Sequence, residues 1–300
     1  MKGELRNKPH SLRAPGDSML GPESSFKPAK NPIKESGRVR TAAQCSAGQR
    51  GGGSIRADGP APVGDQCDYP RRYTATQQAR WRQLYRRQEA ILSGRLADEH
   101  VAGQRSLGLT ADKIPALASV SRMLEQATGW KIARVSGQLG RREFFGHLSQ
   151  RIFPCTDRLR SRREMNYAAT PDCFQDIFGH APMLLHPKFA GFCQQLGQAA
   201  CNCRDPQLER GLLRIFRFTV QFGLILNPGG LKIYGKCIIA NSSETRRCLS
   251  PEVRKWPFLP GVAATLPSAS RRVEDKVFVI HSFAELEDEF SAWAVLHGLL

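Results

Sequence analysis

Helical spacing of apolar residues begins at Tyr73. Trp81, Leu84, Tyr85, Gln88 and Ile91 recur at intervals of three and four, which gathers them on one face of a helix. Pro115 opens a second predicted helix whose apolar face is Leu117, Val120, Met123, Leu124 and Ala127, and Gly129 ends it. A third helix is predicted from about Lys188 through Phe189, Phe192, Cys193, Leu196 and Ala200. A fourth runs from about Gln207 through Leu208, Leu212, Ile215, Thr219 and Phe222. Residues 231–239 and 276–280 are short runs of β-branched and aromatic side chains, read as strands, and Phe283, Leu286, Phe290 and Trp293 predict a final amphipathic helix. The pattern contains no internal repeat. It predicts a mainly α domain with a small β component over residues 71–300.

Before Tyr73 the periodicity disappears. Residues 1–70 are rich in Gly, Pro, Ser and isolated charges and include Gly51-Gly52-Gly53 and Asp58-Gly59-Pro60-Ala61-Pro62, so a disordered tail is expected there. That tail has no compact apolar segment ahead of a small-residue cleavage site, and Glu4, Asp17, Glu23 and Glu35 argue against an organellar transit peptide. A cytoplasmic protein is expected. No apolar run approaches the roughly 18 residues of a membrane span. The nine cysteines are an odd number scattered from Cys45 to Cys248, which fits a reducing compartment better than a disulfide framework. Cys201-Asn202-Cys203 has neither zinc-site spacing nor a matching second pair.

Charge changes the picture little. The chain carries a formal net charge of +17, and residues 1–70 hold 11 Lys and Arg against 7 Asp and Glu, so most of the excess lies on the folded part. Basic residues cluster at Arg80, Arg82, Arg86 and Arg87, at Arg158, Arg160, Arg162 and Arg163, and at Arg246, Arg247, Arg254 and Lys255. None of these clusters has the interleaved aromatics of a single-strand nucleic-acid binder. A solvated basic surface is expected rather than nucleic-acid binding, and a protein partner stays an open alternative.

The chemistry concentrates in Pro171-Asp172-Cys173-Phe174-Gln175-Asp176-Ile177-Phe178-Gly179-His180-Ala181-Pro182 and in Phe218-Thr219-Val220-Gln221-Phe222-Gly223. With segments 81–88, 114–130, 135–156, 167–185, 216–224, 234–249 and 277–286 in the same order and spacing, the chain resembles the pterin-dependent aromatic amino-acid hydroxylases, nearest the bacterial phenylalanine 4-hydroxylase type. The resemblance implies that family's catalytic-domain fold, a helical basket with iron in a deep cleft, without the regulatory and tetramerisation segments of the animal enzymes. It also implies Fe(2+) and tetrahydrobiopterin as cofactors and an aromatic amino acid as substrate.

In the family, two histidines and one glutamate hold the iron, and the corresponding positions here are Gln175, His180 and Gln221. Two neutral nitrogens and one anionic oxygen stabilise Fe(II) while leaving positions open. Glutamine supplies only a neutral carbonyl. Perturbing an outer partner of a metal ligand costs about 10- to 100-fold in affinity, so replacing two ligands, one of them the only anion, costs more. Arg217, at a family tryptophan position four residues before Gln221, either faces the same cleft or reaches solvent. The alternative of a rebuilt metal site would use Asp176 and His180, one helical turn apart, with Glu244 or His186. A plainly buried His180 is the other reading.

By the same resemblance, Gly137, Leu139 and Phe144 form the pterin turn and its stacking ring, Asp176 serves the pterin side, and Arg160 clamps the substrate carboxylate with Phe222 and Glu244 nearby. Gly137 to Phe144 is equally a turn packed on a core phenylalanine, and Arg160 equally a member of a solvated basic face. The family's Thr-Pro has become Ala168-Ala169 and a substrate-side serine has become Ala240. No residue stands out as catalytic. The expectation is a pseudoenzyme with impaired iron binding that keeps a pocket for pterin or an aromatic amino acid. The alternatives are an active monooxygenase converting phenylalanine to tyrosine and an enzyme with altered chemistry.

Overall fold

The computed structural model describes residues 72–137, 139–168, 170–266 and 276–300. They belong to one compact unit, Ala57–Leu300, and the tail expected over residues 1–70 lies outside the described residues. Helix α1 (Ala75–Leu92) opens with a capping box, Thr74 Oγ1 accepting from the Gln77 amide and Gln77 Oε1 from the Thr74 amide. Two of the N–H groups that a helix start leaves unpaired are thereby satisfied. Its buried face is Trp81, Leu84, Tyr85 and Gln88, as the spacing predicts, with Leu92 rather than Ile91 the last residue inside. Helix α2 (Asp98–Ser106) follows, then α3 (Leu117–Thr128), which stops at Gly129 in the left-handed region, φ 75°.

Parallel strands β1 (Lys131–Val135) and β2 (Ile152–Thr156) flank helix α4 (Arg141–Ser149). A π-helical stretch, Phe174–His180, leads into the short α5 (Ala181–Leu184). Helices α6 (Pro187–Asn202) and α7 (Pro206–Phe216) each begin with proline after a capping residue. His186 accepts from the Phe189 amide and Asp205 from the Gln207 amide. Helix α7 continues directly into a second π-helical stretch, Arg217–Gln221.

The rest of the chain is β3 (Leu224–Asn227), β4 (Gly230–Ile233), α8 (Lys236–Ala240), α9 (Ser242–Cys248), β5 (Arg254–Pro257), α10 (Pro260–Thr265), β6 (Lys276–Ile280) and α11 (Phe283–Leu296). The four strands form a sheet of order β4-β3-β6-β5, antiparallel at β3–β4 and parallel elsewhere. The mainly α class with a small β component is therefore observed. Among the described residues no helix is long and apolar enough to cross a membrane.

One predicted element is wrong in kind. Residues 231–239 are not a single strand: β4 ends at Ile233, the chain turns at Gly235, and Lys236 opens α8. The turn presses Gly235 against the end of the second π stretch, where a Cβ would come within 2.5 Å of the Gly223 nitrogen and 2.7 Å of the Gln221 carbonyl oxygen. Glycine thus ends the strand where periodicity alone reads a continuous apolar run.

The aromatic core fixes the first π stretch. Phe174 meets Trp81 edge-on at 5.2 Å and stacks on Phe178 at 4.6 Å, while Tyr85 meets Phe178 edge-on at 5.0 Å. Each such side chain contributes about 1.5–3 kcal/mol when fully buried. The described cysteines are free thiols.

Candidate functional site

All seven residues of Phe174–His180 are buried. Gln175 and His180 stand five residues apart within this stretch, the span of one π-helical hydrogen bond. Gln221 ends the second π stretch, where the Phe222 amide donates to the Arg217 carbonyl at 2.9 Å. The two segments carrying Gln175, His180 and Gln221, the positions expected from the resemblance to hold a metal, therefore share one local device.

The centre they flank holds a residue that sequence reasoning missed. Lys236 is buried, and its ammonium lies 3.3 Å from Asp176 Oδ1 and 5.2 Å from the centre of the Phe153 ring. The second Asp176 oxygen accepts from the Thr156 amide at 3.3 Å. Two glycines make the placement possible. Gly235 admits the turn, and at Gly179 a Cβ would come within 2.9 Å of the Lys236 carbonyl oxygen, so α8 lies directly against the first π stretch.

The electrostatics follow. Burial pushes the Asp176 carboxyl above its usual range, and the Lys236 ammonium and Thr156 amide oppose that shift. His180 packs against Phe153 at 4.4 Å and Phe189 at 5.8 Å. Burial first, then the charge of Lys236, holds its imidazole well below the usual histidine range. His180 is thus a neutral, ring-packed histidine near the Lys236–Asp176 pair. The signal for Lys236 was a lone charge opening the run Lys236-Cys237-Ile238-Ile239-Ala240, but read as strand it would alternate outward.

A rebuilt metal site is not formed. Among the described residues no three His, Cys, Asp or Glu side chains gather closely enough to hold a metal ion. His186 is occupied as the cap of α6, with its ring on Phe283 at 5.0 Å, and Glu244 lies buried in α9. Asp176 already has an ammonium as its partner.

In front of Asp176 and Lys236 opens a cavity of about 650 Å³. Gly137, Leu139, Phe144, Arg217 and Gln221 all line it. Phe144 meets Phe145 and Phe216 edge-on at 5.5 and 5.3 Å, so this part of the lining is built of interlocked rings. Arg217 faces the cavity, half-buried, with its guanidinium 4.6 Å from the centre of the Phe222 ring.

Arg160 stands elsewhere, and neither a solvated basic face nor an open clamp describes it. It is fully buried and forms a fork with Asp172, Nε to Oδ2 at 2.8 Å and Nη2 to Oδ1 at 2.9 Å. Nη1 donates to the Ala240 carbonyl at 2.9 Å and to Asn241 Oδ1 at 3.0 Å. Such a fork is satisfied by the protein itself. Gln175, His180, Phe222 and Glu244 are buried and absent from the cavity lining.

Comparison with known proteins places this geometry. The family described as biopterin-dependent aromatic amino acid hydroxylase matches residues 65–297. A phenylalanine-4-hydroxylase of Ralstonia nicotianae is 41% identical over 174 residues, 58% of this chain and 56% of that protein, so the match spans just over half of that relative. A solved structure of phenylalanine hydroxylase from Legionella pneumophila superposes with a TM-score of 0.69 at 35% identity, over 76% of this chain and 94% of that one. That of Chromobacterium violaceum, with bound iron(III) and 7,8-dihydrobiopterin, superposes with a TM-score of 0.72 at 35% identity, over 78% of this chain and 87% of that one.

Proposed function

The chain belongs to the family of biopterin-dependent aromatic amino acid hydroxylases, and from that premise we propose that it is a divergent member in which iron-dependent turnover has given way to ligand binding. The observation that carries this reading is the ammonium of Lys236 on Asp176, beside a neutral His180 and in the cavity that Gln221 also lines.

The donor set does not fit Fe(II). Gln175 and Gln221 are neutral oxygen donors, His180 is the single imidazole of the three, and the nearby carboxylate is matched by lysine. A dication brought beside an existing buried cation meets a repulsion of several kcal/mol even at an effective dielectric constant near 20. Family fold does not carry activity once the groups that perform it are exchanged.

The remaining cavity keeps the means to hold a flat ring. Leu139 and Phe144 offer an apolar wall, and Asp176 with Lys236 forms a polar floor on which ring substituents find both an acceptor and a donor. A pterin or an aromatic amino acid is the ligand that this cavity and the family together favour. The competing reading, an active monooxygenase making tyrosine from phenylalanine, draws on fold and ancestry. A turnover assay with phenylalanine, tetrahydrobiopterin, oxygen and added Fe(II), read by chromatography of the amino acids, separates the two. No tyrosine above the protein-free background is expected, and catalytic turnover defeats the proposal.

A further inference from the structure

The cavity wall formed by α7 and its π extension is a basic stripe. Arg210, Arg214 and Arg217, at intervals of four and three, all line the cavity together with Gln221, and Arg141 at the start of α4 joins them. Asp176 is the sole carboxylate among the described lining residues, and Lys236 is already paired with it. Arg158, also in the lining, is tied to Glu164 at 2.9 Å.

Arg214 donates to a neutral acceptor, the Ala264 carbonyl, at 2.7 Å. Arg141 and Arg210 are exposed and have no carboxylate partner among the described residues. The positive charge of Arg141, Arg210 and Arg214 is therefore not cancelled by a carboxylate among the described residues. The same lining carries an apolar part, Leu139 with Phe144 and Phe145 of α4 interlocked with Phe216 of α7.

A cleft with one sign of charge on a low-dielectric wall concentrates counter-ions of the opposite sign. Guanidinium groups bind carboxylate and phosphate through paired hydrogen bonds, and aromatic edges and faces accept flat rings. We propose that the ligand of this cavity is a planar aromatic or heteroaromatic ring bearing an anionic group, carboxylate or phosphate, with the ring against Phe144 and the anion against Arg210 and Arg214. This deepens the ligand-binding reading above and rests on it.

Two matched pairs of probes test the charge requirement separately from the ring. Pterin-6-carboxylate is compared with unsubstituted pterin, and guanosine 5′-monophosphate with guanosine, by fluorescence or calorimetric titration of the full chain at low salt. In at least one pair the anionic member is expected to bind about tenfold or more tightly than its parent, the equivalent of one charge-assisted contact. In the double variant Arg210→Gln, Arg214→Gln that advantage should vanish while binding of the parent ring is kept. Arg210 is exposed and Arg214 half-buried, and a thermal melt of the variant confirms that it is folded. Equal affinity within both pairs, or an advantage unchanged in the folded variant, overturns the anionic-ligand proposal and leaves ring binding standing. No binding of any of the four overturns both.

Discussion

Lys236 and Asp176 are each nearly excluded from solvent, and neither suits that position alone. Removing one partner of a buried pair typically costs about 3–5 kcal/mol because the other charge is stranded. The two deletions differ in what remains. Lys236→Met leaves a carboxyl that burial already pushes toward its neutral form, whereas Asp176→Asn leaves a buried ammonium beside the Phe153 ring with no carboxylate partner. Urea denaturation at neutral pH should therefore find Asp176→Asn the more destabilising, near the upper end of that range, with Lys236→Met well below it. Equal losses would mean that the pair is not the coupled unit described. At this scale the motif around His180 pointed, through the family resemblance, to Gln175 and Gln221 at expected ligand positions. It did not point to Lys236, which lies sixty residues beyond Asp176 and reads as a strand position until the turn at Gly235 is known.

Among elements, the site depends on two π-helical stretches and one tight corner. The corner was invisible in apolar spacing because its cause is backbone contact, not side-chain burial. Gly235→Ala drives a Cβ into the backbone of residues 221–223. A loss of about 1–3 kcal/mol or more is expected from such overpacking, measurable as a lowered denaturation midpoint. Gly140→Ala, where a Cβ meets nothing within 4 Å, is the matched control and should change stability by less than about 0.5 kcal/mol. If the two variants behave alike, the close approach of α8 to the second π stretch is not a constraint. Helices α1, α3, α6, α7 and α11 were legible because each buries one apolar face. Helices α2 and α4 and strands β1 and β2 were not singled out, being short and held by tertiary partners rather than by their own periodicity.

Across the whole molecule, buried neutral histidines make stability depend on pH. Burial lowers the pKa of His100 to about 4 from 6.5, and His180 shifts in the same direction. Below about pH 6.5 the unfolded chain takes up protons that the folded chain refuses, so stability is complete above that pH and falls as the pH drops toward 4. His100 alone should contribute about 2 kcal/mol of lost stability between pH 7 and pH 5. Asp176, raised in the fold, acts in the opposite sense on acidification. Urea denaturation at the two pH values should show the loss reduced by about that amount in His100→Gln. An unchanged pH dependence would contradict the neutral assignment of His100.

The global architecture was the most legible level of all, since ordered segments spread over most of the folded part fixed the family. The chemical state of the centre was the least legible, because the proposal for it turns on one lysine, Lys236, which the motif does not contain. The most direct test is the iron content of purified protein after anaerobic loading with Fe(II) and desalting, measured by metal analysis. The native chain is compared with Gln175→His, Gln221→Glu and with the same pair plus Lys236→Ala. If Lys236 excludes the metal, the native chain holds negligible iron, restoring both ligands leaves the site substoichiometric, and removing the lysine as well brings stoichiometric iron. Stoichiometric iron in the native chain, or in the ligand-restored chain with Lys236 still present, would contradict the account.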